Sequence, residues 1–124
     1  MIYGVGIDMI EVERIKHSIT KDAGFKTMIF SAGEINYCES KTNKYEHYAA
    51  RFAAKEAFFK ALGTGWREGT HFNEVEIIHN EQGKPVLVLT GATQQTLAAP
   101  GKLTISVSLS HLKTIATAIV VIEQ

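Results

Sequence analysis

The sequence predicts an α+β domain in which an antiparallel sheet packs on one long central helix, and three observations carry that prediction. Residues 48–62, YAARFAAKEAFFKAL, form an unbroken run of strong helix formers without Gly or Pro. Residues 2–9 and 103–109 alternate in the manner of strands, and 114–122 is almost continuously apolar and β-branched. Between these, two shorter strand-like runs, 72–79 and 85–90, flank Asn80-Glu81-Gln82-Gly83-Lys84, a hairpin turn.

With 124 residues, 45% of them hydrophobic, the chain is long enough for one domain with a real core and too short for two, so a single domain over 1–124 is expected. Thirteen basic and thirteen acidic side chains cancel. No global field therefore favours nucleic acid or an anionic membrane, and recognition rests on local patches. The single Cys38 excludes an internal disulfide framework and cannot make a cysteine metal site by itself. The opening IYGVGIDMI is too short to span a bilayer and lacks the basic start and cleavage site of a signal peptide, which gives a cytoplasmic expectation.

Taken in order, 2–9 places Tyr3, Val5, Ile7 and Met9 on one face and Ile2, Gly4, Gly6 and Asp8 on the other. Two glycines on one strand face mark the close approach of a backbone or a ligand. Asp8 on its own reads as the N-cap of the helix that follows. That helix, 10–21, carries a partial apolar stripe of Ile10, Ile15 and Ile19 and turns Arg14, Lys16, His17 and Lys21 elsewhere, either a solvated surface or a seat for an acidic partner helix. Residues 25–40 read as a turn and a short helix capped near Ser31, and 41–46 as a loop.

The central helix puts Tyr48, Phe52 and Phe59 on one stripe and Ala49, Ala53, Ala57 and Ala61 on another, so it is buried between layers. It also carries Arg51, Lys55, Glu56 and Lys60. The simplest account pairs Glu56 with Lys60 one turn on, worth ~0.3–0.5 kcal/mol at a surface. That leaves Arg51 and Lys55 unpaired. An outside anion is a natural neutraliser, and one carboxylate among three cations can hold a metal beside phosphates. Gly63 suits a left-handed C-cap, and the Gly63-Thr64-Gly65 backbone is able to lie against a phosphate.

Beyond the hairpin, 91–99 reads as a short helix ended by Pro100-Gly101. In 103–109 the inward residues are Leu103, Ile105, Val107 and Leu109, while 114–122 has the character of a strand covered on both faces. His111 lies in the turn Ser110-His111-Leu112-Lys113, either a plain surface residue or one that reaches a ligand.

Gly6-Ile7-Asp8 together with Phe52-Ala53-Ala54-Lys55-Glu56-Ala57-Phe58-Phe59-Lys60 resembles the paired signature motifs of the 4′-phosphopantetheinyl transferases. GIDMIEVERI, RFAAKEAFFKALGTG and SVSLSHLKTIATAIVVIE, in that order, are similar to the short bacterial branch of the family, the holo-[acyl-carrier-protein] synthases. The resemblance runs from residue 4 to 123. It implies the 4′-phosphopantetheinyl transferase fold and transfer of the phosphopantetheine arm of coenzyme A to a serine of apo acyl carrier protein, with release of adenosine 3′,5′-bisphosphate, in fatty acid biosynthesis.

By the same resemblance, Asp8 and Glu56 would bind Mg²⁺, and Lys60 would reach the pyrophosphate. Arg51 and Lys55 would contact phosphates or orient Glu56, and His111 would bind a coenzyme A phosphate. Gly63-Thr64-Gly65 and Gly83-Lys84-Pro85 would line the nucleotide site, and Arg14, Lys16 and Lys21 would receive the acidic helix of the carrier protein. The base that takes the serine proton stays open, with Glu56 among the candidates. The resemblance to the short members of the family further implies a homotrimer with active sites at subunit boundaries. Leu112 and Ile115 depart from the family pattern, where a small or polar residue and a tyrosine are frequent, and they bear on the nucleotide end of the site.

Overall fold

Two glycines set how the first strand meets the central helix. The computed structural model describes residues 1–97 and 103–124. Its first strand, β1 (Ile2–Glu11), turns Gly4, Gly6, Asp8 and Ile10 toward α4 (Lys44–Leu62). A methyl group at Gly6 would lie 1.9 Å from the Ala57 carbonyl oxygen, and one at Gly4 would lie 1.8 Å from that of Ala61. The approaching partner is therefore helix backbone, and the alanine stripe of α4 supplies the matching flat surface. Ala53, Ala57 and Ala61 are all buried there.

The sheet behind this contact has the order β1-β5-β4, with β4 (Thr104–His111) and β5 (Ile115–Glu123) antiparallel neighbours. Strand β5 is central and pairs Asp8 with Ala118 and Ile10 with Ala116 on its β1 side. Its inward residues Ala116, Ala118, Val120 and Ile122 are buried against α4, each large one contributing about 1.5–3 kcal/mol of apolar burial. A separate two-stranded hairpin, β2 (Val75–His79) and β3 (Pro85–Leu89), makes a second sheet. Three shorter helices, α1 (Val12–Lys21), α2 (Phe25–Ile29) and α3 (Ala32–Glu39), lead from β1 to α4, and α5 (Gly91–Thr96) follows the hairpin.

Several local expectations are met for the reasons given. Ser31 caps α3 in a reciprocal box, its hydroxyl accepting the Glu34 N–H at 3.1 Å while Glu34 accepts the Ser31 N–H at 2.9 Å. Gly63 ends α4 at φ 82°, a left-handed residue that costs glycine little. In the hairpin, Gly83 takes φ 81° and Asn80 Oδ1 accepts the Gln82 and Lys84 amides, both at 2.9 Å.

Other expectations are corrected. Asp8 is not an N-cap: β1 continues to Glu11, which precedes α1, and Asp8 sits mid-strand facing α4. The central helix starts at Lys44, inside the stretch read as a loop. Phe72–Glu74 is a single 3₁₀ turn before β2, and His111 closes β4 instead of lying in the turn. Strand β5 is covered on one face only, because its other face and the odd-numbered residues of β1 stay open. Tyr3, Val5, Ile7, Met9 and Ile119 are 40–66% exposed there. The end of the 91–99 helix and its Pro100-Gly101 stop lie outside the described residues.

Candidate active site

The β1–α4 contact brings Asp8, Glu56 and Lys60 together. Gly6 lets the strand close on the helix, so the next inward residue, Asp8, meets the charged edge of α4. Lys60 Nζ donates to Asp8 Oδ1 at 2.9 Å and to the Ile7 carbonyl at 3.0 Å. Lys60 thus pairs with Asp8 across the interface, not with Glu56 along its own helix. Partial burial raises the Glu56 pKa above the usual carboxylate value, and the Asp8 charge adds to it while Lys60 opposes both.

Two carboxylates that repel one another in a half-desolvated site beside one ammonium group are short of positive charge. Their oxygen donors suit a hard divalent cation that takes one or two carboxylates and completes its shell with water and substrate oxygens. No cluster of three or more His, Cys, Asp or Glu that could hold a metal forms among the described residues.

A second group of charges surrounds Arg51. Its guanidinium is buried, stacks 4.4 Å from the centre of the Tyr37 ring, and donates from Nη1 to the His47 carbonyl at 3.2 Å. Arg51 Nε is buried with no hydrogen-bond partner among the described residues, a deficit of roughly 1–3 kcal/mol. Lys41 lies 4.8 Å from the same ring and the His79 imidazole 4.7 Å from it. His47 packs edge-on to His111 at 5.0 Å, and His111 Nδ1 is 2.9 Å from Glu46 Oε1. Burial, and after it the Arg51 charge, hold the pKa values of His47 and His79 below the ordinary histidine value. The cluster is rich in donors and holds one acid, Glu46, which suits a phosphate.

Strand β2 pairs His79 with Pro85, so the turn Gly83-Lys84-Pro85 hangs beside this second cluster. Gly63, Thr64 and Gly65 follow directly on the α4 end that carries Lys60. Arg14, Lys16 and Lys21 are all exposed on α1, the helix that follows the strand carrying Asp8, and Lys16 lies 5.6 Å from the centre of the Tyr45 ring. Within the chain the two clusters remain apart: Arg51 and Glu56 are separated by roughly 140° of rotation and about 7.5 Å of rise along α4.

Lys55 departs from its expected place. Its ammonium group is fully buried and donates to Glu34 Oε1 at 2.8 Å, the Phe72 carbonyl at 2.9 Å and the Val75 carbonyl at 2.6 Å. All three of its protons are taken by protein, so no phosphate contact is open to it. Glu34, Tyr37, Lys41, His47 and His79 were not legible as site residues. Only the i,i+4 spacing of His47 and Arg51 and the Ser31/Glu34 capping pattern hinted at them.

A family model described as the 4′-phosphopantetheinyl transferase superfamily matches residues 4–119. A holo-[acyl-carrier-protein] synthase from Solibacter usitatus is 44% identical over 124 residues, covering 99% of both chains. The crystal structure of the Neisseria meningitidis holo-[acyl-carrier-protein] synthase superposes with a TM-score of 0.89 at 34% identity over 100% of both chains. The corresponding enzyme of Bacillus anthracis, solved in complex with CoA (3′,5′-ADP), superposes with a TM-score of 0.80 at 35% identity over 98% of this chain and 96% of that one. Family match, fold and the convergence of Asp8, Glu56 and Lys60 agree: the chain belongs to the 4′-phosphopantetheinyl transferase superfamily.

Proposed function

We propose that this chain transfers the 4′-phosphopantetheine arm of coenzyme A to a serine hydroxyl of apo acyl carrier protein, releasing adenosine 3′,5′-bisphosphate, to supply carrier protein for fatty acid biosynthesis. The observation that carries the reading is the meeting of Asp8, Glu56 and Lys60 across the β1–α4 contact. Asp8 and Glu56 would hold Mg²⁺, which when bound polarises the pyrophosphate and offsets its charge. Lys60, half-exposed, is free to turn from Asp8 to a phosphate oxygen and stabilise the departing bisphosphate.

The Arg51 cluster fits the nucleotide's phosphate groups. Arg51 donates to the His47 carbonyl, His47 packs on His111, and the turn Gly83-Lys84-Pro85 stands at the edge of the cluster. Gly63-Thr64-Gly65 lies next to the pyrophosphate end. Because the two clusters lie on different sides of one helix, a single extended substrate is best served where two protomers meet. The open apolar face of β1 and β5 supports a homotrimer with active sites at its subunit boundaries. Arg14, Lys16 and Lys21 on α1 are exposed and suit the acidic helix of a carrier protein. The work is placed in the cytoplasm, and no described helix is long and apolar enough to cross a membrane.

The test is intact-mass analysis of an apo acyl carrier protein incubated with this protein, coenzyme A and Mg²⁺, with chelator and Glu56→Ala controls. A metal-dependent gain of one phosphopantetheinyl group that is lost in Glu56→Ala is the expected result. No gain with several carrier proteins, while coenzyme A still binds, would make the chain a binding module instead.

A further inference from the structure

Three of the elements that wall the Arg51 cluster, α3, α4 and β2, meet at one buried ion pair nearby. Lys55 and Glu34 side chains are both fully buried, joined at 2.8 Å. Lys55 spends its other two protons on the Phe72 and Val75 carbonyls, which flank the 3₁₀ turn entering β2. Glu34 uses Oε1 to accept the Ser31 amide as well, and Oε2 to accept the Ile77 amide at 2.9 Å from the middle of β2. A single buried joint thus ties α4, α3 with its N-cap, and β2.

From this joint each element reaches the cluster in one structural repeat. Lys55 is one helical turn from Arg51 on α4, and Glu34 one turn from Tyr37 on α3. Ile77 is one strand repeat from His79 on β2. Arg51 and His79 both pack on the Tyr37 ring, at 4.4 and 4.7 Å from its centre. A shift at the joint is therefore passed directly to the stack. A surface lysine could not do this, because a buried charge with every proton committed has no alternative partner to move to.

We propose that the Lys55–Glu34 pair is a positioning device that sets the spacing of Arg51, Tyr37 and His79, and so the affinity of the site for the nucleotide phosphates of coenzyme A. Lys55 acts through protein contacts only and touches no substrate. The affinity part rests on the function proposed above, whereas the spacing part does not.

The experiment compares wild type, Lys55→Met, Glu34→Asp and the paired Lys55→Met/Glu34→Gln variant in the full chain. Three quantities are read: melting temperature, coenzyme A affinity by calorimetry alongside kcat, and the His47 and His79 titrations by NMR without ligand. Lys55→Met alone strands a buried carboxylate and lowers the melting temperature most, and the paired variant regains much of that loss. In the paired variant, and in Glu34→Asp, which keeps the charge but shortens the joint, coenzyme A binds about tenfold more weakly while kcat at saturation stays within about threefold. Both imidazole pKa values rise toward the ordinary value as the Arg51 stack loosens.

A folded paired variant or Glu34→Asp with wild-type coenzyme A affinity and unshifted imidazoles would overturn the proposal, leaving the pair a matter of stability alone. Loss of kcat at unchanged affinity would overturn it too, because Lys55 would then belong to the reaction. If wild type itself does not bind coenzyme A, the proposed function fails, and the imidazole titrations alone decide whether the joint positions the cluster.

Discussion

The Gly6 Cα faces the Ala57 carbonyl so closely that a methyl group there would sit 1.9 Å from its oxygen. That closeness brings β1 near enough to α4 for Asp8 to reach Lys60 at 2.9 Å. Gly6→Ala must push strand from helix, because backbone cannot give way as a side-chain tip does. We expect a loss of roughly 1–3 kcal/mol in urea unfolding, with transferase activity falling further than stability does. An alanine variant with wild-type stability would show that the contact is looser than described.

Glu56 gives a prediction in which stability and activity move in opposite directions. Its folded pKa is raised, so the stability it contributes is complete below the unfolded carboxylate pKa and is lost as pH rises through the folded value. At neutral pH its charge opposes folding. Glu56→Gln is expected to melt at or above the wild-type temperature at pH 7, the gap closing near pH 4, while activity falls at least about a hundredfold. A marked drop in melting temperature at pH 7 would assign Glu56 a structural role.

Proton uptake on coenzyme A binding follows from His47 and His79. Both free imidazoles titrate below the ordinary value near 6.5, because of burial and Arg51. A phosphate placed beside them favours the charged form and raises both pKa values. Between the free and bound values the complex then holds more protons, so affinity tightens as pH falls through that window. Calorimetry in buffers of different ionisation enthalpy measures the uptake, and His47→Phe with His79→Phe is expected to abolish it. Affinity that is flat with pH in wild type would place the phosphate elsewhere.

Arg14, Lys16 and Lys21 are exposed on α1, where we propose that the carrier protein docks. Arg14→Glu with Lys21→Glu is expected to raise KM for the carrier protein by about tenfold or more at low salt and leave KM for coenzyme A within twofold. Raising ionic strength should weaken the wild type toward the variant.

The open sheet face, with Val5 53% and Ile7 61% exposed, is the surface through which we propose self-association. A charge at its centre desolvates poorly, so Ile7→Asp is expected to yield monomer by light scattering at micromolar concentration, with activity lost alongside assembly. A trimer that survives Ile7→Asp would move the interface to another face.

Information that lies within a few residues was legible in the sequence. The helix formers of 48–62, the Ser31 cap, the Gly63 stop and the alternation of β1 depend on local sterics and hydrogen bonds, and each is found in the structure. The grouping of Asp8, Glu56 and Lys60 was legible only through the resemblance of the two motifs to a known family, because Asp8 by itself reads as an N-cap. Only the tertiary structure decided what each face meets. Helical spacing puts Arg51 and Lys55 on one edge but is silent on the neighbour, so Lys55 was expected to contact a phosphate or orient Glu56 and is instead spent on Glu34 and two carbonyls. Alternation likewise divides β1 into two faces without saying which is covered, and the glycine face packs inward while the bulky apolar face stays open. The reason is physical: periodicity is a property of one element, whereas burial, pairing and charge compensation belong to the contact between two.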